Sequence, residues 1–191
     1  MTDDQTSRNA STPRSGPAAL VLRLRTSTGS RVAMRRAASD STAHYSYPYL
    51  AGLWTGDGNG WRRQPVLLLA AAAATSTVGH DADERLGRYL RRAALANATG
   101  DPDRDLDRIG RRLMAAQTGD LRKLHQAVAR HLTANPHHGR VDWDDIWWTY
   151  ATWDHPNRAK RRDRRRRLLE DFYRPIPAAT TVADVDVDAT P

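Results

Sequence analysis

Apolar residues recur at intervals of three and four through most of this chain, which is the spacing of amphipathic α-helices. In residues 85–95, 103–117 and 120–134, leucines and other apolar residues form one helical face, and arginine or lysine lies across from it. No segment shows the clean alternation of apolar and polar side chains that marks a half-buried strand. The pattern therefore predicts an all-α protein, a compact bundle of six to eight helices.

Shorter and more buried helices are predicted in the amino-terminal half. Residues 18–25 and 30–38 form two short helical patterns, and Ser30 is placed to cap the second. Pro65 begins a nearly all-apolar segment that continues to Ala74. Because this segment has no polar face, we expect its helix to be buried.

Two further helices are predicted near the carboxyl terminus. Asp142 is placed to cap the first, and its Trp143 and Trp147 share one face, which favours packing in the core. Trp148 points in another direction and is available to a partner. One such partner is a single-stranded nucleic acid, because its bases stack well on an exposed tryptophan. The second helix, residues 157–173, is charged in its first half and apolar in its second.

Three segments lack helical periodicity. Residues 44–64 combine alternate tyrosines with a proline and several glycines, which predicts irregular structure. Residues 1–17 and 174–191 have too little apolar surface to offset the entropy of ordering them, so we expect two disordered tails. The chain then contains one all-helical domain, residues 18–173.

Positive charge is concentrated in the predicted domain. The chain carries +8, whereas the first tail is neutral and the acidic second tail carries −2, so the domain carries +10. Between Arg158 and Arg167, eight of ten residues are Arg or Lys and one is Asp. Helical segments 85–95 and 157–167 contain too few acids to neutralise their own arginines. Such a field attracts a polyanion, and the planar guanidinium suits phosphate oxygens.

Composition excludes several classes of site. The chain has no cysteine, so a disulfide framework, an iron–sulfur cluster and a thiolate zinc site are excluded. The longest apolar run, from Val66 to Ala74, is shorter than the roughly 20 residues that a membrane span needs. The amino terminus lacks the pattern of a secretory signal. We therefore expect a cytoplasmic protein that contacts no membrane.

Catalytic chemistry finds little support. A metal or acid–base site would have to come from His137, His138, Asp142, Asp144 and Asp145. The two histidines are adjacent on a predicted loop, and the carboxylates already suit the start of a helix. No HExxH spacing, phosphate-binding glycine loop or nucleophile elbow is present. We expect no catalytic residue, no bound metal and no cofactor.

Several segments resemble, in order and spacing, the motifs of one known family. They are GSRVAMRR (residues 29–36), LGRYL (86–90), DRIGRRLMAA (107–116), and VDW, Trp153 and LLEDFY (within 141–173), which resemble the family motifs GDRAALRR, LGRAL, ERRF..LL.A and LDW…W…LLEDFY. On these residues the chain is identified as a member of the CasB family, the small subunit of the type I-E CRISPR surveillance complex Cascade.

This resemblance implies an all-α, non-catalytic subunit that is present in two copies within Cascade. It implies contact with target and displaced DNA strands, which stabilises the R-loop in antiviral defence. The implied partners are guide RNA, target DNA, the repeated backbone subunit, the large subunit and a second copy of this chain.

The resemblance also places DNA contacts at Arg35, Arg36, Arg108 and the basic cluster before Leu168. Basic faces of the other predicted helices extend this set, because stripes on neighbouring helices merge into a groove that follows a strand without reading its bases. The predicted nucleic-acid-binding residues are Arg35, Arg36, Arg108, Arg111, Arg112, Arg122, Lys123, Arg130, Arg158, Lys160, Arg161, Arg162, Arg164 and Arg165.

The chain departs from the family pattern at two positions. Ile109 and Gly110 stand where the family has Arg and Phe, which removes one phosphate contact from the pattern. We expect neighbouring Arg111 or Arg112 to replace it, because either guanidinium suits a phosphate oxygen equally well.

The expected mechanism is electrostatic. Opening a duplex against a guide is nearly balanced in free energy, so modest contacts to the strand backbone decide the outcome. Each phosphate neutralised on a single strand adds about 0.7 to the salt dependence of binding. Alanine at Arg161, Arg162, Arg164 and Arg165 is predicted to lower that dependence and to leave the fold intact.

Three other functions remain as alternatives. A stand-alone helix-turn-helix regulator would need a recognition helix that exposes amides, and residues 120–134 offer only Gln126 among them. A nuclease or hydrolase would need the metal ligands considered above, with His138 the residue to test. A membrane-surface helix at 157–173 has an apolar half that is too short for strong insertion.

Overall fold

The computed structural model describes residues 16–53, 63–98, 100–134 and 139–175, and it confirms the all-α prediction. The α-helices of these residues are α1 (Gly16–Leu24), α2 (Thr28–Arg35), α3 (Tyr47–Leu50), α4 (Arg63–Thr75), α5 (Leu86–Ala96), α6 (Pro102–Gln117), α7 (Leu121–Ala134), α8 (Trp143–Trp153) and α9 (Arg158–Tyr173). The shorter elements are the 3₁₀ turns η1 (Arg36–Ala38), η2 (Ala43–Ser46) and η3 (Ala51–Leu53), and the strands β1 (Gly79–His80) and β2 (Arg140–Val141).

The predicted tails fall almost wholly outside the described residues. Helix α1 begins at Gly16, within the last two residues of the segment 1–17, and the description ends at Pro175. Residues 1–15 and 176–191 are therefore not described, and their predicted disorder stays a prediction.

The segment predicted to be irregular is helical where it is described. The turns η2 and η3 flank the single turn of α3. The prediction is wrong for residues 44–53 because Pro48 lies at the start of α3, where its restricted backbone angle suits a first helical turn and its missing N–H is not needed. Residues 54–62 of that segment lie outside the described chain.

Helix α4 forms the centre of the core. Every residue from Pro65 to Ala74 is buried, which confirms the expectation drawn from its lack of a polar face. Helices α1, α2, α7 and α8 pack around it. Residues 70–74 are consecutive alanines, and their small side chains allow these neighbouring helices to approach the α4 backbone closely.

Helices α5 and α9 pack against each other through a glycine. A Cβ atom added at Gly87 would lie 2.6 Å from the backbone oxygen of Leu168 and 2.8 Å from the backbone nitrogen of Phe172. These backbone atoms of α9 leave no space for a side chain at this position. Gly87, part of the LGRYL segment, therefore permits the close approach that binds α9 to the bundle.

A short parallel strand pair joins the two halves of the chain. Gly79 pairs with Arg140 and His80 with Val141. The sequence pattern did not predict these strands, because two residues are too few to show alternation. The pair positions the start of α8, where the Asp142 backbone N–H donates to the Glu84 carbonyl at 2.7 Å.

Predicted helix caps are confirmed in one case and wrong in another. The Asp142 carboxylate accepts a hydrogen bond from the Asp144 N–H at 2.9 Å, as expected of a cap. Ser30, in contrast, lies inside α2, which begins at Thr28. Its buried hydroxyl donates to the Leu24 carbonyl and ties α2 to the end of α1.

The tryptophans of α8 divide as their spacing predicts. Trp143 and Trp147 are buried in the core, whereas the side chain of Trp148 is 51% exposed. The core assignment of the first two is confirmed. Trp148 is open to solvent in the described part of the chain, and its role in stacking on bases stays a prediction.

Candidate nucleic-acid interface

The basic half of α9 separates into interior and exterior arginines. Arg164 and Arg165 point inward, and their side chains are only 15% and 16% exposed. Arg158 and Arg162 lie on an exposed face and pair with no acid of the described chain. Residues four apart share a helical face, so position along one helix decides which arginines solvent can reach.

A first basic groove lies between α9 and the carboxyl end of α6. This α6–α9 groove has a volume of about 440 Å³. Its lining contains five arginines and no acidic residue. The lining residues are Gln117, Arg158, Arg161, Arg162, Arg165, Arg166 and Leu169.

A second basic groove lies between α6 and α7. Arg112, Lys123 and Arg130 are exposed in this α6–α7 groove and form no ion pair with any residue that the structure describes. Alanines line the floor between them, and no acidic residue contributes. The complete lining is Arg112, Ala115, Ala116, Lys123, Gln126, Ala127 and Arg130.

A third groove lies where α7 meets α4 and η1. This α4–α7 groove has a volume of about 470 Å³, with a mostly apolar floor and two arginines at its rim. Its lining residues are Arg35, Ala38, Ala71, Thr75, His125, Ala129, Arg130 and Thr133.

The three grooves are linked through shared or consecutive lining residues. Ala116 lines the α6–α7 groove, and the next residue, Gln117, lines the α6–α9 groove. Arg130 lines both the α6–α7 and the α4–α7 groove. We define the basic track as the cations of these grooves other than Arg165: Arg35, Arg112, Lys123, Arg130, Arg158, Arg161, Arg162 and Arg166.

Arg165 is a structural link beneath the track. Its guanidinium donates to the backbone oxygens of Gln117 and Gly119 in the turn between α6 and α7. It also donates to the Trp153 carbonyl at 3.0 Å and pairs with Asp154 at 3.3 Å. These contacts tie the α6–α7 turn to the end of α8, so Arg165 sets the position of one basic groove relative to the next.

Arg164 forms a buried ion pair. Its guanidinium lies 2.7 Å from the Asp145 carboxylate, whose other oxygen accepts a hydrogen bond from the Leu86 N–H at 3.0 Å. Burial lowers the pKa of Arg164, and the nearby carboxylate acts in the opposite direction. Alanine at Arg164 or Arg165 would leave buried partners unsatisfied. The fourfold alanine change was predicted to leave the fold intact. Because it includes Arg164 and Arg165, we now expect it to destabilise the fold.

Two predicted arginines of α6 form exposed ion pairs within their own helix. Arg108 pairs with Asp105 at 2.7 Å, and Arg111 pairs with Asp107 at 2.9 Å. Neither arginine lines the basic track. Exposed ion pairs of this kind contribute only about 0–1 kcal/mol to stability. They therefore restrain these two arginine side chains only weakly.

The remaining predicted residues also lie off the track. Arg36 stacks over the Tyr45 ring, with 4.7 Å between its guanidinium carbon and the ring centroid. Arg122 pairs with Asp40 beside η1. Lys160 is exposed, but it does not line the α6–α9 groove. The structure thus groups Arg35, Arg112, Lys123, Arg130, Arg158, Arg161 and Arg162, and it separates the other predicted residues from them.

Arg166 belongs to the basic cluster before Leu168 but was not among the individually predicted residues. It lines the α6–α9 groove and reaches Glu170 at 3.6 Å. Arg166 follows Arg158 and Arg162 at the same four-residue interval. That regular spacing, which places all three on one helical face, was the signal that could have identified it.

Burial and nearby arginines both lower the pKa of a histidine on α7. Burial lowers the pKa of His131 to about 4, and the positive charges of Arg112, Arg130 and Arg108 contribute in the same direction. The imidazole is therefore neutral at pH 7. These three arginines come from α6 and α7, so cations of both helices lie near one position, and such a group of charges attracts an anion.

The arginines of α5 have a different environment. Arg85 at the N-cap of α5 and three arginines within the helix each have an acidic or carbonyl partner that lies outside α5. The scarcity of acids within this segment therefore does not leave its arginines without partners. The contacts are Arg85 with Asp171, Arg88 with the Asp83 carbonyl, Arg91 with the Phe172 carbonyl and Arg92 with Glu84.

Comparison with known proteins identifies the family. The family model described as CRISPR-associated protein Cse2 matches residues 30–173. The chain belongs to the Cse2 family. This finding confirms the predicted resemblance to the CasB small subunit of type I-E Cascade.

A solved structure supports the fold of this Cse2 family member. A chain described as "CRISPR RNA-guided surveillance complex" matches with a TM-score of 0.54 and 19% sequence identity. The alignment covers 82% of this chain and 92% of that chain. Among curated proteins, none matches significantly. No helix of the described residues is long and apolar enough to cross a membrane.

The two departures from the Cse2 family motif have a structural explanation. Ile109 is buried in the core. A Cβ atom at Gly110 would lie 2.3 Å from the Tyr173 hydroxyl oxygen, so Tyr173 occupies the space that a side chain there would need. Of the two arginines expected to compensate, Arg111 pairs with Asp107. Arg112, which lies on the basic track, is the better replacement.

The structure brings three potential metal ligands together in the described part of this Cse2 chain. They are His80, Asp142 and Asp144, whose ligand atoms lie within 4.8 Å of one another. His80 Nδ1 accepts a hydrogen bond from the Trp143 N–H at 3.1 Å, and Asp142 caps α8. Helix capping therefore explains the cluster. His137 and His138 lie outside the described residues.

Proposed function

We propose that this protein is a non-catalytic small subunit of a type I-E Cascade in the cytoplasm. It holds target or displaced DNA by the phosphate backbone and thereby stabilises the R-loop. Membership of the Cse2 family supports the assembly. The basic track supports the chemistry, because its cations come from α2, α6, α7 and α9 and line grooves that are linked through shared or consecutive residues.

The pairing state of the track cations favours phosphate binding. Arg112, Lys123 and Arg130 have no ion-pair partner in the described chain, so a phosphate need not displace a carboxylate to reach them. Contacts of this kind hold a strand without reading its bases. Because an R-loop is nearly balanced against the duplex it replaces, a few such contacts shift the equilibrium toward the open state.

Assembly provides the rest of the affinity. The proposed partners are guide RNA, target DNA, the repeated backbone subunit, the large subunit and a second copy of this chain. Linked binding sites raise the effective concentration of one another, so the isolated chain binds single strands weakly. Purification of a tagged chain from cells that express the whole system tests the assembly. Recovery without guide RNA and larger subunits would overturn it.

A charge-neutralised variant tests the basic track. Glutamine at Arg112, Lys123 and Arg130 removes three exposed cations that have no described ion pair. We expect the slope of log affinity against log salt for a single-stranded oligonucleotide to fall by about 2, since each phosphate contact contributes about 0.7. Filter binding over a range of salt concentrations measures it.

A matched variant separates the track from net charge. Glutamine at Arg23, Arg31 and Arg104 removes the same charge from exposed positions outside the three grooves. This control should keep the original salt slope and should support R-loop formation in the reconstituted complex. Equal slopes in the two variants would show that only overall charge matters, and the proposed track would be rejected.

A further inference from the structure

The α4–α7 groove differs from the rest of the basic track in the chemistry of its floor. Ala38, Ala71 and Ala129 form a floor of methyl groups, whereas Arg35 and Arg130 lie at the rim. No acidic residue lines the groove. Its volume of about 470 Å³ falls within the range of small-molecule sites, about 300–1,000 Å³. A phosphate gains little from such a floor, but a flat apolar group fits it.

The two rim arginines are available to a ligand. Arg35 uses its Nε to donate to the Ala74 carbonyl at 3.4 Å, and that bond orients the guanidinium plane while its terminal nitrogens remain open. Arg130 has no partner in the described ranges. It also lines the α6–α7 groove, so a single side chain stands between a phosphate-binding groove and an apolar one.

A neutral polar group completes the site. His125 lines the groove, and its Nδ1 lies 3.2 Å from the buried Tyr150 hydroxyl. Its Nε2 has no hydrogen-bond partner among the described residues. Burial, helped by the charge of Arg122, lowers the pKa of His125 to about 4. The uncharged ring therefore offers a donor or an acceptor, as its tautomer decides.

We propose that the α4–α7 groove holds an unstacked nucleobase of the strand whose phosphates lie on the basic track. This inference rests on the proposed function. A base has apolar faces that suit the alanine floor and a hydrogen-bonding edge that suits His125. The guanidinium of Arg35 stacks on such a ring. A phosphate at Arg130 brings the adjoining base to the groove, and this continuity favours nucleic acid over a protein side chain as the occupant.

An abasic strand provides the first test on the full-length chain. Oligothymidine and an abasic oligodeoxynucleotide of equal length carry the same phosphates, so both report on the basic track. Because a stacked base contributes about 1–3 kcal/mol, we expect oligothymidine to bind about 5-fold to 150-fold more tightly. The salt slopes should be equal, since the phosphate contacts are the same.

A groove-filling substitution assigns that difference to the α4–α7 groove. Ala129→Leu places a branched side chain on the floor at a part-buried position. It should lower oligothymidine affinity to the abasic level and leave abasic binding unchanged. Ala96→Leu makes the same chemical change at an exposed position on α5, outside the three grooves, and should alter neither affinity.

A second readout keeps the test valid if Ala129→Leu does not fold. In the unmodified protein, the His125 imidazole nitrogen resonances should shift on addition of oligothymidine and remain unchanged with the abasic strand.

Equal binding of both strands, with no selective shift at His125, overturns the nucleobase site but does not affect the proposed basic track. Absence of binding to both strands by the unmodified protein, alone and in the reconstituted complex, overturns the proposed function itself. If Ala129→Leu preserves the preference for oligothymidine and blocks assembly with larger subunits, the groove is a protein-docking surface and the inference is wrong.

Discussion

Helix α5 and the first half of α9 are both rich in arginine, yet their arginines have different environments. Those of α5 contact acids or carbonyl oxygens from neighbouring segments, as Arg92 does with Glu84 at 2.7 Å. On α9, Arg158 and Arg162 lie exposed and have no ion pair in the part of the chain that the structure describes. Arginine content alone therefore does not identify a polyanion-binding surface; the partners supplied by the fold do.

Helix α9 itself contains both kinds of arginine. Arg164 and Arg165 are interior groups that hold the bundle together, whereas Arg158 and Arg162 line a groove. A one-residue difference along the helix rotates a side chain by about 100°. Changing adjacent arginines as one block would therefore mix a loss of stability with a loss of binding, and the predictions below separate the two.

The largest effect is expected at the buried ion pair. Arg164→Ala leaves the Asp145 carboxylate without its charged partner in a largely buried position, and such losses cost about 3–5 kcal/mol. Arg162→Ala, two residues earlier on an exposed face, should stay within about 0.5 kcal/mol. Urea unfolding followed by circular dichroism measures both free energies. Equal losses would abolish the distinction between interior and exterior arginines.

A smaller loss of stability is expected where α5 meets α9. Gly87→Ala places a methyl group against the backbone of α9, and overpacking of this kind costs about 1–3 kcal/mol. Gly16→Ala is a suitable control, because nothing lies within 4 Å of a Cβ atom there. A thermal melt should separate the two variants clearly. If Gly87→Ala has the same melting temperature as the unchanged protein, the close contact between α5 and α9 does not contribute to stability.

Acid should weaken the region around the unpaired cations. The pKa of His125 and that of His131 are both lowered to about 4, whereas an unfolded histidine titrates near about 6.5. Their contribution to stability is thus complete above about pH 6.5 and is lost as the pH falls toward 4. Burial raises the pKa of Glu84 and of Asp142, which acts in the opposite sense.

A comparison of the unchanged chain with His131→Gln isolates the contribution of this histidine to the pH dependence of stability. Unfolding free energies at several pH values should show a weaker acid dependence in His131→Gln than in the unchanged chain. Because phosphates neutralise the cations around it, bound single-stranded DNA should raise the pKa of His131 in an NMR titration. A pKa that does not move with DNA would place the strand away from Arg112 and Arg130.

The smallest expected effect is on salt-dependent binding. Glutamine at Arg158 and Arg162 should lower the salt slope by about 1.4, at about 0.7 for each phosphate contact, with little change in stability. Glutamine at Arg85 and Arg92 should leave the slope unchanged and should reduce stability, because Asp171 and Glu84 lose their partners. A reversed result would reverse the roles assigned to α5 and α9.

The elements predicted correctly are those whose signal lies within one helix. The all-apolar run of α4 and the spacing of Trp143, Trp147 and Trp148 were enough to assign burial, and the structure confirms them. Ser30 was misassigned as a cap because its partner, the Leu24 carbonyl, lies in the preceding helix. The strand pair also escaped prediction, because each strand has only two residues and its partner lies about sixty residues away in the chain.

Sequence alone determined the helical class, the central helix, the family resemblance and the concentration of positive charge, because periodicity, composition and motif order are properties of the chain itself. It did not determine which arginines are free. Arg164 meets Asp145 from a separate helix, and Arg165 meets the α6–α7 turn. Only the tertiary structure decides such pairs, because an ion pair depends on a distance of a few ångströms between residues that the linear order leaves far apart.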